Sequence, residues 1–422
     1  MPTFSEFASS LTEESAFTVL ARAKQLKAEG RDIVELEIGD SPFDTPSSAK
    51  KTGLQAINDN VSHYCPSLGL PEFRDAAARL VSGEFGISTT RENIAVGPGA
   101  KVFEQFFCEA FLNAGDGVLV FNPHFPTYPP NIHRRSARMV LKPLTLENEF
   151  RPQVSDIEDF LKNDPAPRAI FLNSPHNPTG GVMTLQDCRD VADLVRGKDI
   201  VVFSDEPYCH MVWNGAHHSV AAQPGMLNQC VAAYTFSKSY SMSGWRLGFC
   251  VSSPEIIQTI GLMLNTSVSC TPPMVQLAGA AAIESDSAER DDVMAKFRAK
   301  VVLLSSGLNQ LEGITALDPT GTFYVFARVA EICNRLGITS HGLALYLLEG
   351  ADPDFGIACL GGECFGEAGA GYLRFSCAEP DDRLQQALNF IPKAIGRLDR
   401  LETWKAANPA YALETPYLLA ES

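Results

Sequence analysis

The stretch AIFLNSPHNPTGGVMTLQDCRDVADLVRGKDIVVFSDEPY, residues 169–208, decides the fold. Its two short runs, AIFL and IVVF, are apolar at every position. A strand buried between helix layers must read this way, because both of its faces are covered. Between them, LQDCRDVADLVRG (185–197) reads as a helix. The same alternation extends outward. Upstream lie IAVGPG (94–99) and GVLVFNP (117–123), separated by the helical stretch KVFEQFFCEAFLNAG (101–115). Downstream lie CVAAYTFS (230–237) and LGFCVSS (247–253). Short runs, each followed by a turn and a helix, predict an α/β fold around a parallel or mostly parallel sheet.

After about residue 290 the character changes. The helical RDDVMAKFRAKVVLLSSGLNQLEG leads into a GTFYVFARV strand, a helix and a YLRFSCA strand. A helix at about 12–30 and the strand IVELEIG (33–39) are expected to pack with that segment. The organisation predicted is a large domain over 45–290 and a smaller α+β domain built from 1–44 and 291–422. The tail NPAYALETPYLLAES carries no clear element and reads as a surface arm.

Composition excludes several classes. Of 422 residues 45% are apolar and 20% charged, with 32 glycines and 27 prolines, so disorder and collagen-like repeats are ruled out. The net charge of −16 repels phosphate backbones and anionic lipid, which argues against nucleic acid and membrane partners. Eleven dispersed cysteines form no C-x-x-C pair and no zinc-spaced cluster with histidine, so reduced thiols and no metal site are expected. The start, MPTFSEFASSLTEES, has no basic n-region or apolar h-region, and no run approaches a bilayer span. A cytoplasmic protein is the expectation.

In an open α/β sheet, ligands bind beyond the carboxyl ends of the strands. The polar residues that end the apolar runs are Gly99–Lys101, His124–Phe125, Asn173–Gly180, Asp205–Tyr208 and Thr235–Arg246. Lys238 sits just past a buried run, among hydroxyls, with Arg246 eight residues on. Burial of a lysine is costly, and a Schiff base to an aldehyde is one reason to accept it; the bland alternative is a lysine snorkelling to the surface. Asp205 would be a buried carboxylate in need of a positive partner, either a protonated pyridine nitrogen or a structural arginine. Tyr208 could then bond a ring hydroxyl. Asn177 lies in a turn shaped by Pro178 and Gly180. Gly99-Ala100-Lys101 opens a helix whose first N–H groups are free to hold a phosphate, although neither a P-loop nor a dinucleotide fingerprint is present. Arg246, Thr235 and Ser237 could complete that cup. Arg374 could clamp a carboxylate in bidentate fashion or form a structural ion pair. An aldehyde-bearing, phosphorylated pyridine would use this whole set.

With these residues in place the chain closely resembles the aspartate-aminotransferase family of pyridoxal-phosphate enzymes (class I aminotransferases, fold type I), from about residue 20 to about 395. The landmarks are GDSPFDTP (39–46), HYCPSLGLPEFRDA (63–76), NSPHNPTGG, SDEPY, SKSYSMSGWRLG and YLRFSCA. The resemblance implies a mostly parallel seven-stranded sheet between helices and pyridoxal 5′-phosphate as cofactor. By it, Lys238 would be the Schiff-base lysine and proton shuttle. Asp205 would keep the pyridine nitrogen protonated, Tyr208 and Asn177 would hold the ring hydroxyl, and Phe125 would stack on the ring. The phosphate would lie on Gly99, Ala100 and Lys101 with Thr235, Arg246 and Ser237. Tyr64 would reach the phosphate of the neighbouring subunit, which implies a homodimer. Arg374 would clamp the substrate α-carboxylate, with the Gly39 backbone and Asn177 close by.

The chain also departs from the family pattern. It reads Gly39-Asp40-Ser41-Pro42 after the N-terminal strand, and Pro207 precedes Tyr208. No Lys or Arg precedes Arg22, so if Thr12 to Glu14 lie over the pocket, a second substrate carboxylate must be met elsewhere. Arg134, Arg135 and Arg138 are the candidates, against their reading as a solvated basic helix. The function implied is transfer of an amino group from an L-amino acid, aspartate or another, to a 2-oxo acid such as 2-oxoglutarate by a ping-pong cycle. A β-lyase acting on cysteine conjugates would use the same lysine and aspartate. A non-catalytic ligand sensor is the third reading.

Overall fold

In the computed structural model, residues 2–11 and 14–419 are described. Their strands, in chain order, are β1 (Asp32–Glu35), β2 (Ile94–Gly97), β3 (Gly117–Asn122), β4 (Arg138–Pro143), β5 (Pro167–Asn173), β6 (Val201–Asp205), β7 (Cys230–Thr235), β8 (Gly248–Val251), β9 (Thr315–Ala316), β10 (Tyr324–Arg328), β11 (Phe355–Ala358), β12 (Leu360–Gly361) and β13 (Tyr372–Ser376). Seven of them form one sheet in the order β2-β8-β7-β6-β5-β3-β4. All neighbours are parallel except β8, which runs antiparallel to both β2 and β7.

The two-sided apolar runs explain the layering. Ala169, Phe171, Val201 and Phe203 face one helix layer, where they meet Phe103, Phe106 and Phe107 of helix Lys101–Phe111. The intervening Ile170, Leu172 and Val202 face the other layer with Val191 and Val195 of helix Leu185–Val195. Phe107, Phe171 and Phe203 pack with ring centroids 5.2–5.4 Å apart. Truncating any one of them to alanine would cost about 3–5 kcal/mol.

The seventh strand, β4, carries no continuous apolar run. It is an edge strand with alternating exposure, and Arg138 at its start is exposed. A strand covered on fewer sides needs fewer apolar residues, so its signal is weaker.

The two chain ends meet. β1 pairs in parallel with β11, and β12-β13-β10-β9 forms an antiparallel sheet beside them. The N-terminal helix runs Ser15–Ala28 and the long helix Ser287–Asn309. Thr12 and Glu13 lie outside the described residues. The tail is not a free arm, because it finds polar partners on the small sheet's helices and loops. Tyr417 donates its hydroxyl to Glu363 (2.7 Å) and its N–H to Asn334 (2.8 Å), and the Leu418 carbonyl accepts from Arg328 (2.9 Å).

Candidate active site

The carboxyl ends of β5, β6 and β7, the start of helix Lys101–Phe111 and the Arg374 face of β13 converge on one cavity of about 400 Å³. Asp205, Tyr208, Ala100, Lys101, Phe125, Asn177, Thr235, Ser237, Lys238, Arg246, Gly39 and Arg374 all line it. Gly99 stands directly behind the wall. Its φ of +91° is left-handed, and a Cβ there would come within 2.7 Å of Arg246 Nη2. Tyr64 is not brought into its own chain's cavity and is 89% exposed.

Lys238 follows β7, and its Nζ donates to the Gly39 carbonyl at 2.5 Å. Gly39 itself cannot carry a side chain, since a Cβ would lie 1.7 Å from the Tyr324 hydroxyl. Asp205, the last residue of β6, is buried beneath the cavity. Burial pushes its pKa up to about 6, against a hydrogen bond from Tyr128 (2.7 Å) that lowers it. Its neighbour Glu206 points the other way, where Ser204, Ser219, His217 and Tyr234 all donate to it at 2.6–2.7 Å. That satisfied carboxylate anchors the strand end and so fixes the aim of Asp205.

At the other end lies an anion cup. The first N–H groups of an eleven-residue helix, beginning at Lys101, have no intrahelical partner. The Thr235 and Ser237 hydroxyls are 2.9 Å apart, and the Arg246 guanidinium donates to the carbonyls of Ser243 (3.0 Å) and Pro98 (3.2 Å). Arg246 has φ +53°, a strained conformation for a residue with a side chain and one that clusters at functional sites.

Arg374 forms the third pole. Its Nη1 donates to Asn177 Oδ1 (3.0 Å), its Nη2 donates to the Glu37 carbonyl (2.5 Å), and its Cζ lies 4.2 Å from the centroid of the Tyr324 ring. The guanidinium is buried yet meets no carboxylate in these contacts, which suits an anionic ligand.

Several groups in or beside the cavity have partners that are not evident from sequence. Tyr128 donates to Asp205, and the Asn173 side-chain amide donates to the Asp205 carbonyl (2.8 Å). The Tyr324 and Tyr208 hydroxyls lie 3.2 Å apart. Glu104, one helical turn into its helix, is buried and accepts from Thr127 (2.8 Å) and Asn131 (2.6 Å); burial pushes its pKa up to about 8. Glu14, Ala16 and Phe17 form the rim, and Glu14 is ion-paired with Lys101. By contrast Arg134, Arg135 and Arg138 do not line the cavity. Arg134 pairs with Glu109, Arg135 bonds the Leu112 carbonyl, and Arg138 forks onto Asp164 (2.8 and 2.9 Å), so their charge is used locally.

An anion cup, an amine and a buried carboxylate short of a cation suit a phosphate, an aldehyde and a basic ring nitrogen on one molecule. With the sheet topology, this is the architecture of a fold type I pyridoxal-phosphate enzyme. Comparison with known proteins narrows the class. The family model described as aminotransferase class I and II matches residues 31–391, and the chain belongs to that family. It is similar to an aspartate aminotransferase of Pyrococcus abyssi (31% identical, covering 86% of this chain and 92% of that one). It is also similar to an aromatic-amino-acid aminotransferase of Thermococcus litoralis (29%, 86% and 92%). Among solved structures, the aspartate aminotransferase of Thermus thermophilus with maleate superposes with a TM-score of 0.86 at 28% identity, covering 93% of this chain and all of that one. The protein is an aminotransferase, and pyridoxal 5′-phosphate is its cofactor.

Proposed function

We propose that the protein passes the amino group of an L-amino acid with an uncharged side chain to a 2-oxo acid, with 2-oxoglutarate as acceptor, in two alternating half-reactions. The observation that carries the donor class is the Lys101–Glu14 ion pair on the cavity rim beside the Phe17 side chain. The cavity's other cations are Lys238, Arg246 and Arg374, each already assigned to a pole of the site. Among the described residues of this chain, a second substrate carboxylate can reach a cation only by displacing Glu14 from Lys101, whereas an apolar or aromatic side chain meets Phe17 without breaking a charge pair. Dicarboxylates such as the acceptor are bound at that cost; neutral donors are not penalised.

In this reading Arg374 and Asn177 bind and orient the substrate α-carboxylate, with the Gly39 backbone beside them. Lys238 would hold the cofactor's aldehyde carbon in the resting enzyme; once the substrate amine takes its place there, the released Nζ would take the proton from the substrate α-carbon and return it on the cofactor side. Asp205 keeps a proton on the ring nitrogen, supported by Tyr128. Tyr208 and Asn177 hold the ring hydroxyl, and Phe125 covers the ring face. Ala100 and Lys101 hold the phosphate by their N–H groups, with Thr235, Ser237 and Arg246, while Gly99 gives its own N–H to the Gly97 carbonyl (2.8 Å) and shapes the turn. Bound pyridoxal phosphate supplies the electron sink for the pair left on the α-carbon.

Three further assignments belong to this reading. The chain divides into a large domain over 45–290 and a small one over 1–44 and 291–422, supported by the pairing of β1 with β11. It works as a homodimer, supported by the outward Tyr64, which would serve the neighbour's phosphate. It resides in the cytoplasm, supported by eleven cysteines that are all free.

The test is a donor panel with 2-oxoglutarate, run on the wild type and Glu14→Gln. Aromatic and apolar donors are expected to be preferred. The variant should raise kcat/KM for aspartate about fivefold, the worth of roughly 1 kcal/mol of exposed ion pair, and leave apolar donors unchanged. A wild type that prefers aspartate and does not respond to Glu14→Gln refutes the donor class. Pyruvate and ammonia formed without any oxo acid refutes transamination.

A further inference from the structure

The buried residues of helix Lys101–Phe111 are Phe103, Phe106, Phe107, Cys108 and one carboxylate, Glu104. An apolar side chain would serve packing at that position. A carboxylate there carries a desolvation cost that only well-placed donors offset.

Those donors form an anchor. Glu104 Oε2 accepts from the Thr127 hydroxyl (2.8 Å), and Oε1 accepts from the Asn131 side-chain amide (2.6 Å). The same amide donates to the Thr127 carbonyl (3.1 Å), which closes the three residues into one ring. Thr127 and Asn131 bracket Tyr128, the first residue of helix Tyr128–His133. The Tyr128 N–H donates to the Phe125 carbonyl (3.2 Å), its ring meets the Phe125 ring edge-on at 5.9 Å, and its hydroxyl donates to Asp205 (2.7 Å). Glu104 therefore ties the helix that opens the anion cup to the turn that carries both Phe125 and Tyr128. The other titratable groups that face it are Lys101 and Cys108 on its own helix, and Tyr128 and Asp205 across from it.

We propose that Glu104 is a positioning residue for the cofactor's ring nitrogen: by holding the turn from Thr127 to Asn131 it keeps the Tyr128 hydroxyl on Asp205, the carboxylate that faces that nitrogen. The proposal rests on the role given to Asp205 above. Both Glu104 oxygens are engaged by Thr127 and Asn131, so it acts through Tyr128 and not on the ligand. Without the anchor, Thr127 and Asn131 lose a buried acceptor and the turn shifts. Asp205 then loses the bond that opposes the effect of burial on its carboxyl. A carboxyl that keeps its own proton no longer holds one on the ring by charge.

The experiment compares the wild-type holoenzyme with Tyr128→Phe, Glu104→Leu, Glu104→Gln and the Tyr128→Phe/Glu104→Leu double variant. Three quantities are read: the pH midpoint of the bound cofactor's visible band, the cofactor dissociation constant, and kcat with KM. Glu104→Leu is expected to move the midpoint in the same direction as Tyr128→Phe and no further. It should weaken cofactor binding and lower kcat at least about threefold, without exceeding the loss in Tyr128→Phe, and leave KM nearly unchanged. The double variant should match Tyr128→Phe alone, since both changes remove one linked interaction. Glu104→Gln, whose amide oxygen still accepts from Thr127, should fall between the wild type and Glu104→Leu. If Glu104→Leu does not fold, Thr127→Val, which removes one bond of the anchor and keeps its shape, is read by the same criteria. Additive losses in the double variant, or Glu104→Gln as impaired as Glu104→Leu, overturns the proposal. Asp205→Asn separates the two levels: an unmoved midpoint there refutes the ring-nitrogen reading and the proposal with it. A midpoint moved by Asp205→Asn but not by Glu104→Leu refutes the proposal alone.

Discussion

Glu37 offers a quantitative test of how the small sheet carries Arg374. It follows β1, is fully buried, and neither of its carboxyl oxygens has a hydrogen-bond partner. Burial pushes its pKa from 4.5 up to about 7; Glu35 and Glu379 push the same way, and Arg374 opposes them. Cys359 is the other titratable group that faces it. A carboxyl whose folded pKa is raised holds its proton better in the folded state, so stability is full below the unfolded pKa. It is lost as pH rises from about 4.5 to about 7 and is flat beyond. Some 2.5 pKa units at 1.36 kcal/mol each give about 3 kcal/mol in all, of which about 2.5 kcal/mol falls between pH 5 and pH 8. Glu37→Gln keeps the shape and cannot ionise. Its own burial cost does not depend on pH, so the pH dependence of the difference isolates the charge. For 422 residues at roughly 2.1 cal/mol/K each, 2.5 kcal/mol corresponds to about 3 °C in Tm. Thermal melts at saturating cofactor should therefore show the variant gaining about 3 °C on the wild type between pH 5 and pH 8. Parallel curves across that window refute the buried, ionisable Glu37.

Other substitutions probe the cavity. Lys238→Ala should lower kcat about 10³–10⁴-fold with an unchanged circular dichroism spectrum, since it removes the proton-transfer group and leaves the sheet intact. Arg374→Ala should cost about 3–4 kcal/mol in kcat/KM, a loss of some 10²–10³-fold, and steady-state kinetics should place it mainly in KM. Tyr128→Phe removes a charge-assisted bond to Asp205 and should lower kcat by about 10–100-fold with little change in KM.

The strands with two covered faces were legible because burial on both sides forces an unbroken apolar run; β5, β6 and β7 each show it. β4 was not, because an edge strand with alternating exposure, RMVLKP, resembles loop as much as strand. The site residues stood out where polar groups interrupt apolar runs at strand ends, as at Asp205 and Lys238. Tyr128, Glu104 and Tyr324 carry no such mark. Tyr128 reads as part of a proline-rich turn and Glu104 as one more helix residue; their roles come from neighbours 77 and 27 positions away in Asp205 and Asn131.

The sequence by itself determined the sheet layers and the chemical inventory at the strand ends, since alternation, burial and strand polarity are local consequences of side-chain type. Only the tertiary structure decided how those groups are paired. Arg374 meets Asn177 and the Glu37 carbonyl because β13 and β1 return beside each other from opposite ends of the chain. Lys101 is neutralised by Glu14, while Arg134, Arg135 and Arg138 spend their charge away from the cavity. Charges find partners through space, and loop closure over tens or hundreds of residues is governed by the packing of the whole domain rather than by any local stretch.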